Sequence, residues 1–266
     1  VEPPEEQDPA AAPPDRLASS ADPAAAPPAS PAGGVGALAL DLGGGITLQL
    51  ALVPGGEFIM GSANTDRFAL DAEKPQHTLW LPEYLMGKYP VTRLQYRAFV
   101  RASRYGASAP QSLRGADDRP VVHVTWRDAM AFCEWASKVS GRAVRLPSEA
   151  EWEKAARGVW GRIYPWGNRW DKSCCNCKEG GPGKPTPVGL YSPLGDSPYG
   201  CADMMGNVWE WTRSLWGADG QEPQFGYPYD PHDGREELHA GEEALRVVRG
   251  GSFYDGEPVR CAARAR

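Results

Sequence analysis

The sequence predicts a mixed α and β domain with its strands and helices early and a loop-rich second half. Three observations carry this. Ile46–Val53 alternates apolar and polar residues as a half-buried strand does, and Pro54-Gly55-Gly56 turns it into Glu57–Met60, a predicted hairpin. Three helices are announced by one N-terminal device, a hydroxyl residue followed three positions on by Gln, Asp or Glu: Thr92 with Gln95, Thr125 with Asp128 and Ser148 with Glu151. In the second helix Ala129, Phe132, Cys133 and Ala136 share a face, and Gly141 closes it. Beyond about Val159 the helical period vanishes, and Trp160–Arg266 reads as loops, short strands and Gly/Pro turns anchored by Trp.

Of the 266 residues, 31 are Gly and 26 are Pro, with ten Trp and ten Tyr, a composition unlike that of a helical bundle. No apolar run approaches the ~18 residues of a membrane-spanning helix. The net charge of −6 argues against a phosphate-neutralising surface, so nucleic acid is not the expected partner. That charge is unevenly held. Residues 1–36 carry Glu2, Glu5, Glu6, Asp8, Asp15 and Asp22 against Arg16 alone, which is −5 of the −6, along with nineteen Ala or Pro and no aromatic residue. This segment reads as a disordered Ala/Pro-rich acidic linker, because it cannot bury enough apolar surface to offset its chain entropy. A linker implies something tethered, so an upstream domain is expected before Val1. Residues 37–266 form the working domain, nearly neutral and holding every Trp.

Seven ordered segments carry a resemblance: Leu52–Ser62, Pro90-Val91-Thr92, Pro120–Trp126, Arg145–Glu153, Tyr164–Gly167, Gly206–Trp211 and Arg249–Phe253. Together they resemble the formylglycine-generating enzyme, or sulfatase-modifying factor, domain. The resemblance implies a single α+β domain elaborated from the C-type lectin fold, with little regular secondary structure. In that family a final strand ending in Gly-Phe-Arg follows the last motif, so a further strand is expected beyond Arg266.

The resemblance also sets positions to test. In the enzymes a cysteine pair after the Arg-Gly-Gly-Ser-aromatic motif binds copper(I) and oxidises a substrate cysteine. Here the first position is Asp255, and Gly256–Arg260 runs straight into Cys261 with no room for the second. A carboxylate is a hard ligand and does not replace a thiolate at copper(I), so no catalytic residue and no copper are expected. The family's calcium loop, Asn-x-x-Gly-x-x-x-Glu, reads here as Asp203–Glu210. Calcium takes hard oxygen ligands, so Asp203, Glu210 and the carbonyls of Gly206 and Val208 are the expected set, with hydrogen-bonding roles the alternative. A second family site uses Asn176 and the Cys177 carbonyl, with Glu179 as a further candidate.

Other residues are read beside plainer roles. Cys174 and Cys177 have the C-x-x-C spacing of zinc or redox sites, against free loop thiols. His77, His123, His232 and His239 lack metal spacing; His77 and His123 lie in strand-like segments and are read as structural, and the motif tryptophans as core. Residues 213–245, with Trp216, Phe225, Tyr227 and Tyr229, either recognise a protein or cover the domain's flank. The resulting expectation is a non-catalytic, calcium-stabilised domain that binds a protein or small ligand through Phe253, Tyr254, Asp255, Glu257, Val259 and Arg264. The same pattern is similar to the variable proteins of bacterial diversity-generating retroelements, in which the loop after Ser252 would be diversified. The competing readings are a divergent oxidase acting on a sulfatase cysteine, and an accessory domain fused to a bacterial kinase, protease or secretion component.

Overall fold

The computed structural model describes residues 38–266, except 219 and 242. The linker predicted for residues 1–36 lies outside them. Strand β1 (Leu38–Asp41) pairs antiparallel with β2 (Thr47–Val53), with Leu38 opposite Leu50. The other edge of β2 takes β5 (Tyr84–Gly87), with Leu52 opposite Leu85, so the first sheet has the order β1-β2-β5. Strand β3 (Gly56–Met60) pairs instead with β4 (His77–Leu81) as a separate ribbon. The predicted β2–β3 hairpin therefore does not form. The turn between them is held by Lys154, whose ammonium donates to the carbonyls of both Pro54 and Gly56 at 2.8 Å. Each strand then finds a different partner.

The three helices start where the hydroxyl residues predict. These are α1 (Arg93–Ser103), α2 (Trp126–Ser140) and α3 (Glu149–Arg157), and each opens on a reciprocal capping box. The Asp128 variant of the box closes as fully as the others. The Thr125 N–H donates to Asp128 Oδ2 at 2.8 Å, and the Asp128 N–H returns a bond to Thr125 Oγ1 at 3.1 Å. Asp128 also accepts from the Ser108 hydroxyl at 2.9 Å. Burial works to raise the Asp128 pKa, yet these bonds hold it below the ordinary value. Thr125→Ala is expected to lower the unfolding free energy by about 1–2 kcal/mol, read as a shift in the urea midpoint at unchanged slope.

Packing follows the apolar faces. Helices α1 and α2 bury Tyr96, Phe99, Phe132, Trp135 and Ala136 against Leu42, and Cys133 of α2 is a small buried residue, as its face predicts. Helix α3 buries Trp152, Ala155 and Ala156 against Val53 of β2 and Cys261 near the chain's end. Past α3 the regular structure is one irregular ribbon, β6 (Glu210–Gly217) with β7 (Leu245–Arg249). The aromatics between them turn inward. Trp216 and Tyr229 are buried, Phe225 and Tyr227 half-buried, so this stretch covers the flank of the domain and contributes to its interior. Among the described residues, no helix is long and apolar enough to cross a membrane.

What holds the loop-rich half is charge buried on α3. Glu153 accepts from the Gly61 N–H at 2.7 Å, from Arg157 at 2.6 Å and from Arg249. Glu149 meets Arg264 through two bonds, of 2.8 and 3.0 Å, and Arg235 at 3.3 Å. Arg260 reaches Glu73 and Asp66, both at 2.8 Å. These pairs tie α3 and the first third of the chain to the final twenty residues, which contain almost no regular hydrogen-bonded structure of their own. They set the platform on which the loop after β7 is mounted.

Candidate functional site

The loop that follows β7, Ser252–Val259, is folded by its own side chains. Asp255 Oδ2 accepts from both the N–H and the hydroxyl of Ser252, at 2.9 and 2.8 Å, and the Asp255 N–H donates back to the Ser252 carbonyl at 3.0 Å. That turn lifts Tyr254 into solvent, 72% exposed, with the Phe253 ring 4.1 Å from its own. The Phe253 N–H is fixed on the Asn207 carbonyl at 3.1 Å, and the Asp255 carbonyl receives the Lys178 N–H at 2.9 Å. Glu257 pairs with Arg67 at 3.1 Å across an exposed gap, and its carbonyl accepts from the Tyr164 hydroxyl at 3.1 Å. Val259 packs inward against Tyr164, Cys175, Cys177 and Met205.

Five of the six ligand-site residues predicted from sequence thus share one loop, though they do not all face outward. Tyr254, Phe253 and Glu257 form its surface, Asp255 its internal brace and Val259 its anchor. Arg264 stands apart. It is buried against Glu149, donates to the Ala72 carbonyl at 2.8 Å and lies over the Trp216 and Tyr227 rings, so it holds the platform and does not face a ligand.

Sequence reasoning missed the loop's neighbours. The Tyr164 and Trp166 rings stack at 5.5 Å, with Trp170 5.3 Å from Tyr164, and Trp166 and Trp170 stay partly exposed beside the loop. Trp166 is therefore not simply core. Glu179, expected only as a candidate for the second cation site, is the other neighbour. Its carboxylate lies against Gly256, where a Cβ would fall 2.0 Å from Oε1 and the Glu179 side chain would have to swing away. Local spacing offered no signal for either contact, because each joins segments about eighty or more residues apart.

The Asp203–Glu210 loop lies immediately beneath. Asp203 and Asn207 both hold left-handed backbone, at φ 57° and 61°. Gly206, at φ 76°, passes so near the Asn176 carbonyl that any side chain would collide with it. Asp203 Oδ2 accepts from the Gly189 N–H at 2.6 Å, and Glu210 Oε2 from the Trp152 indole at 2.8 Å. Burial pushes the Asp203 carboxyl up to about 6 and that of Glu210 up to about 7, the latter also raised by the charge of Asp203. The backbones of Gly206 and Val208 run between the two. Among the described residues no three His, Cys, Asp or Glu side chains are placed to hold a metal together, so a cation here would need those carbonyls as well.

Asn176 and Cys177 pack against the same loop. The Asn207 N–H donates to the Asn176 carbonyl at 2.9 Å, and Asn176 Nδ2 donates to Lys184 and to Asn207 Oδ1 at 3.0 and 3.2 Å. Asn176 Oδ1 is buried without a hydrogen-bond partner. The Cys177 carbonyl accepts from the Gly180 and Gly181 N–H groups, at 3.3 and 2.7 Å.

All six cysteines are buried and free. Cys261, the only one in the last motif, is packed into the α3 core, and burial pushes its thiol up to about 12. With Asp255 braced on Ser252, these residues do not fit a copper(I) thiolate pair at the positions the family's enzymes use. His77 is structural, as predicted, with Nε2 accepting from the Tyr229 N–H at 2.9 Å and Nδ1 on the Pro75 carbonyl at 3.0 Å. His123, read from sequence as lying in a strand, holds left-handed turn backbone at φ 59°. A separate apolar groove of about 730 Å³ opens beside β1 and β5, its wall formed by Leu38, Leu40, Leu48, Leu50 and Leu85.

This α+β platform, cross-linked by α3 carboxylates, carries the Arg-Gly-Gly-Ser loop. Residues 47–266 match the profile of the sulfatase-modifying factor enzyme 1-like domain, and the chain belongs to that family. It is 30% identical to the inactive C-alpha-formylglycine-generating enzyme 2 of Bos taurus, over 85% of this chain and 83% of that protein. To the formylglycine-generating enzyme of Thermomonospora curvata it is 33% identical, over 82% and 88% respectively. Among solved structures, variable protein 1 of Treponema denticola superposes with a TM-score of 0.63 at 22% identity, covering 85% of this chain and 91% of that one, a likeness of fold.

Proposed function

We propose that this chain is a non-catalytic binding member of the family, lectin-like in form, which presents the Ser252–Val259 loop to a protein or small ligand above a calcium-stapled base. The observation that carries the reading is Asp255. At the position of an enzyme's first copper cysteine stands a carboxylate whose oxygen is already engaged by Ser252, and the loop it braces displays Tyr254. An exposed aromatic on a braced loop offers contact area at little entropy cost. Likeness to an inactive enzyme and to a variable protein supports the same reading. In the retroelement form of the proposal, Tyr254–Val259 is the diversified segment.

Calcium is part of the proposal. Two desolvated carboxylates that repel one another, and two carbonyls between them, supply hard oxygen donors in a number that water completes. Asn176 Oδ1, buried and unpaired, offers a second cation one more oxygen, with the Cys177 carbonyl beside it.

The oxidase alternative is tested by incubating the reduced, copper(I)-supplied protein with a cysteine-containing sulfatase peptide under oxygen and following the peptide by mass spectrometry. No formylglycine is expected. Oxygen-dependent turnover above a protein-free control would overturn the proposal, and copper binding without turnover would leave it standing.

A further inference from the structure

Under the loop lies a cluster of soft side chains that neither the binding reading nor the calcium reading uses. Cys175, Cys177 and Met205 share one buried cluster, at 2%, 2% and 3% exposure, walled by Tyr164 with Trp170 and Val259 at its margin. Neither the Cys175 nor the Cys177 thiol is in a disulfide. Cys177 Sγ donates weakly to the Lys172 carbonyl at 4.0 Å. The arrangement is fixed by backbone. Asn176, between the cysteines, bridges Gly206, the residue after Met205, so one contact brings both thiols against the thioether. The same cluster touches Ser252, Asp255 and Gly256 of the loop above.

We infer that Cys175 and Cys177, with Met205 as a weaker third donor, form a binding site for one soft monovalent cation such as copper(I). Thiolate and thioether sulfur select soft ions, and a closed-shell monovalent ion is satisfied by two or three sulfurs. Structural zinc needs four ligands, and among the described residues no third His, Cys, Asp or Glu is placed to join the pair. On binding, each thiol releases its proton to solvent as its sulfur takes the metal, and nothing is oxidised or reduced. The site uses neither Asp255 nor Cys261. Cys174, the third cysteine of the segment, lies beside Asp171 and Ser173 and takes no part.

The test is anaerobic titration of the reduced full chain with copper(I) against a chromophoric copper(I) chelator. One equivalent per chain is expected, with zinc binding far weaker. Cys175→Ser and Cys177→Ser are each expected to cost more than the about 10–100-fold lost with an outer-shell partner, and Met205→Leu to cost less than either. Cys174→Ser is expected to leave affinity unchanged. X-ray absorption of the copper-loaded wild type, which needs no variant to fold, should show sulfur alone around the metal. Absence of binding, equal affinity for zinc, retention of copper by Cys175→Ser or nitrogen and oxygen ligands in the absorption spectrum would each overturn the proposal, the first leaving the cluster as apolar packing.

Discussion

Glu153→Ala is expected to cost about 3–5 kcal/mol, enough to unfold much of a population whose total stability is of the order of 5–15 kcal/mol. The carboxylate is fully buried and holds four groups: the Gly61 N–H, Arg157, Arg249 and, at 3.5 Å, the Tyr227 hydroxyl. Removing it strands two guanidinium groups that are themselves 3% and 0% exposed. Arg249 keeps its bonds to the Ala262 and Cys261 carbonyls, so the loss falls on net charge and on the anchorage of β3. A triple replacement, Glu153→Met with Arg157→Leu and Arg249→Met, should recover much of the loss, because well-packed apolar residues avoid the desolvation that the charges incur. The urea midpoints of wild type, single and triple variants decide this. A single variant within about 0.5 kcal/mol of wild type would show that the network contributes nothing.

The network also sets the acid limb. Burial alone would raise the Glu153 pKa, but Arg249 and Arg157 hold it below the usual carboxylate value, and Glu151 is likewise held down by Arg145 against the same burial. For a depressed carboxylate the stabilisation is complete above its unfolded value and is lost as pH falls through the folded one. Unfolding should therefore set in below about pH 4.5.

Much of this platform was legible in the residues because its rules are local. A capping box is written in four consecutive positions, so Thr92, Thr125 and Ser148 marked the three helix starts to the residue. Strand pairing was not legible in the same way. Ile46–Val53 and Glu57–Met60 look like one hairpin until Lys154, about a hundred residues away, takes both turn carbonyls. The binding loop was located by its motif, yet its surface and interior could not be separated from spacing alone. Arg264 and Tyr254 stand ten residues apart in a segment without period, one wholly paired with Glu149 and the other in water. Nothing in the string distinguishes them until the partner on α3 is placed. The same holds for Trp216 and Tyr229, whose inward course depends on Arg235 and Arg264 being drawn to Glu149.

In EDTA the protein is expected to melt at a lower temperature at pH 8 than at pH 5, and calcium is expected to narrow that difference. Asp203 titrates near 6 and Glu210 near 7, both raised first by burial and, for Glu210, further by the Asp203 charge. A carboxylate whose folded pKa is raised binds its proton more tightly in the folded state. Its stabilisation is full below the unfolded value near 4 and is lost as pH rises through about 6 to 7. Above that window the apo loop must hold two desolvated charges, at a cost on the order of 3 kcal/mol for each. A divalent ion between them reverses the sign, because it binds only the ionised pair. At 100-fold excess over its dissociation constant it contributes about 2.7 kcal/mol, roughly 5–10 °C in melting temperature for a domain of this size. At pH 5, where protons compete, the gain should be small. Glu210→Gln removes one charge and should raise the melting temperature in EDTA at pH 8, and Asp203→Ala, which removes the ligand oxygen that an Asn would keep, should abolish the response to calcium. If wild type in EDTA melts equally at both pH values, the two carboxylates are not desolvated as placed. If Asp203→Ala still responds to calcium, the ion binds elsewhere, and Asn176 with its unpaired Oδ1 becomes the position to substitute next.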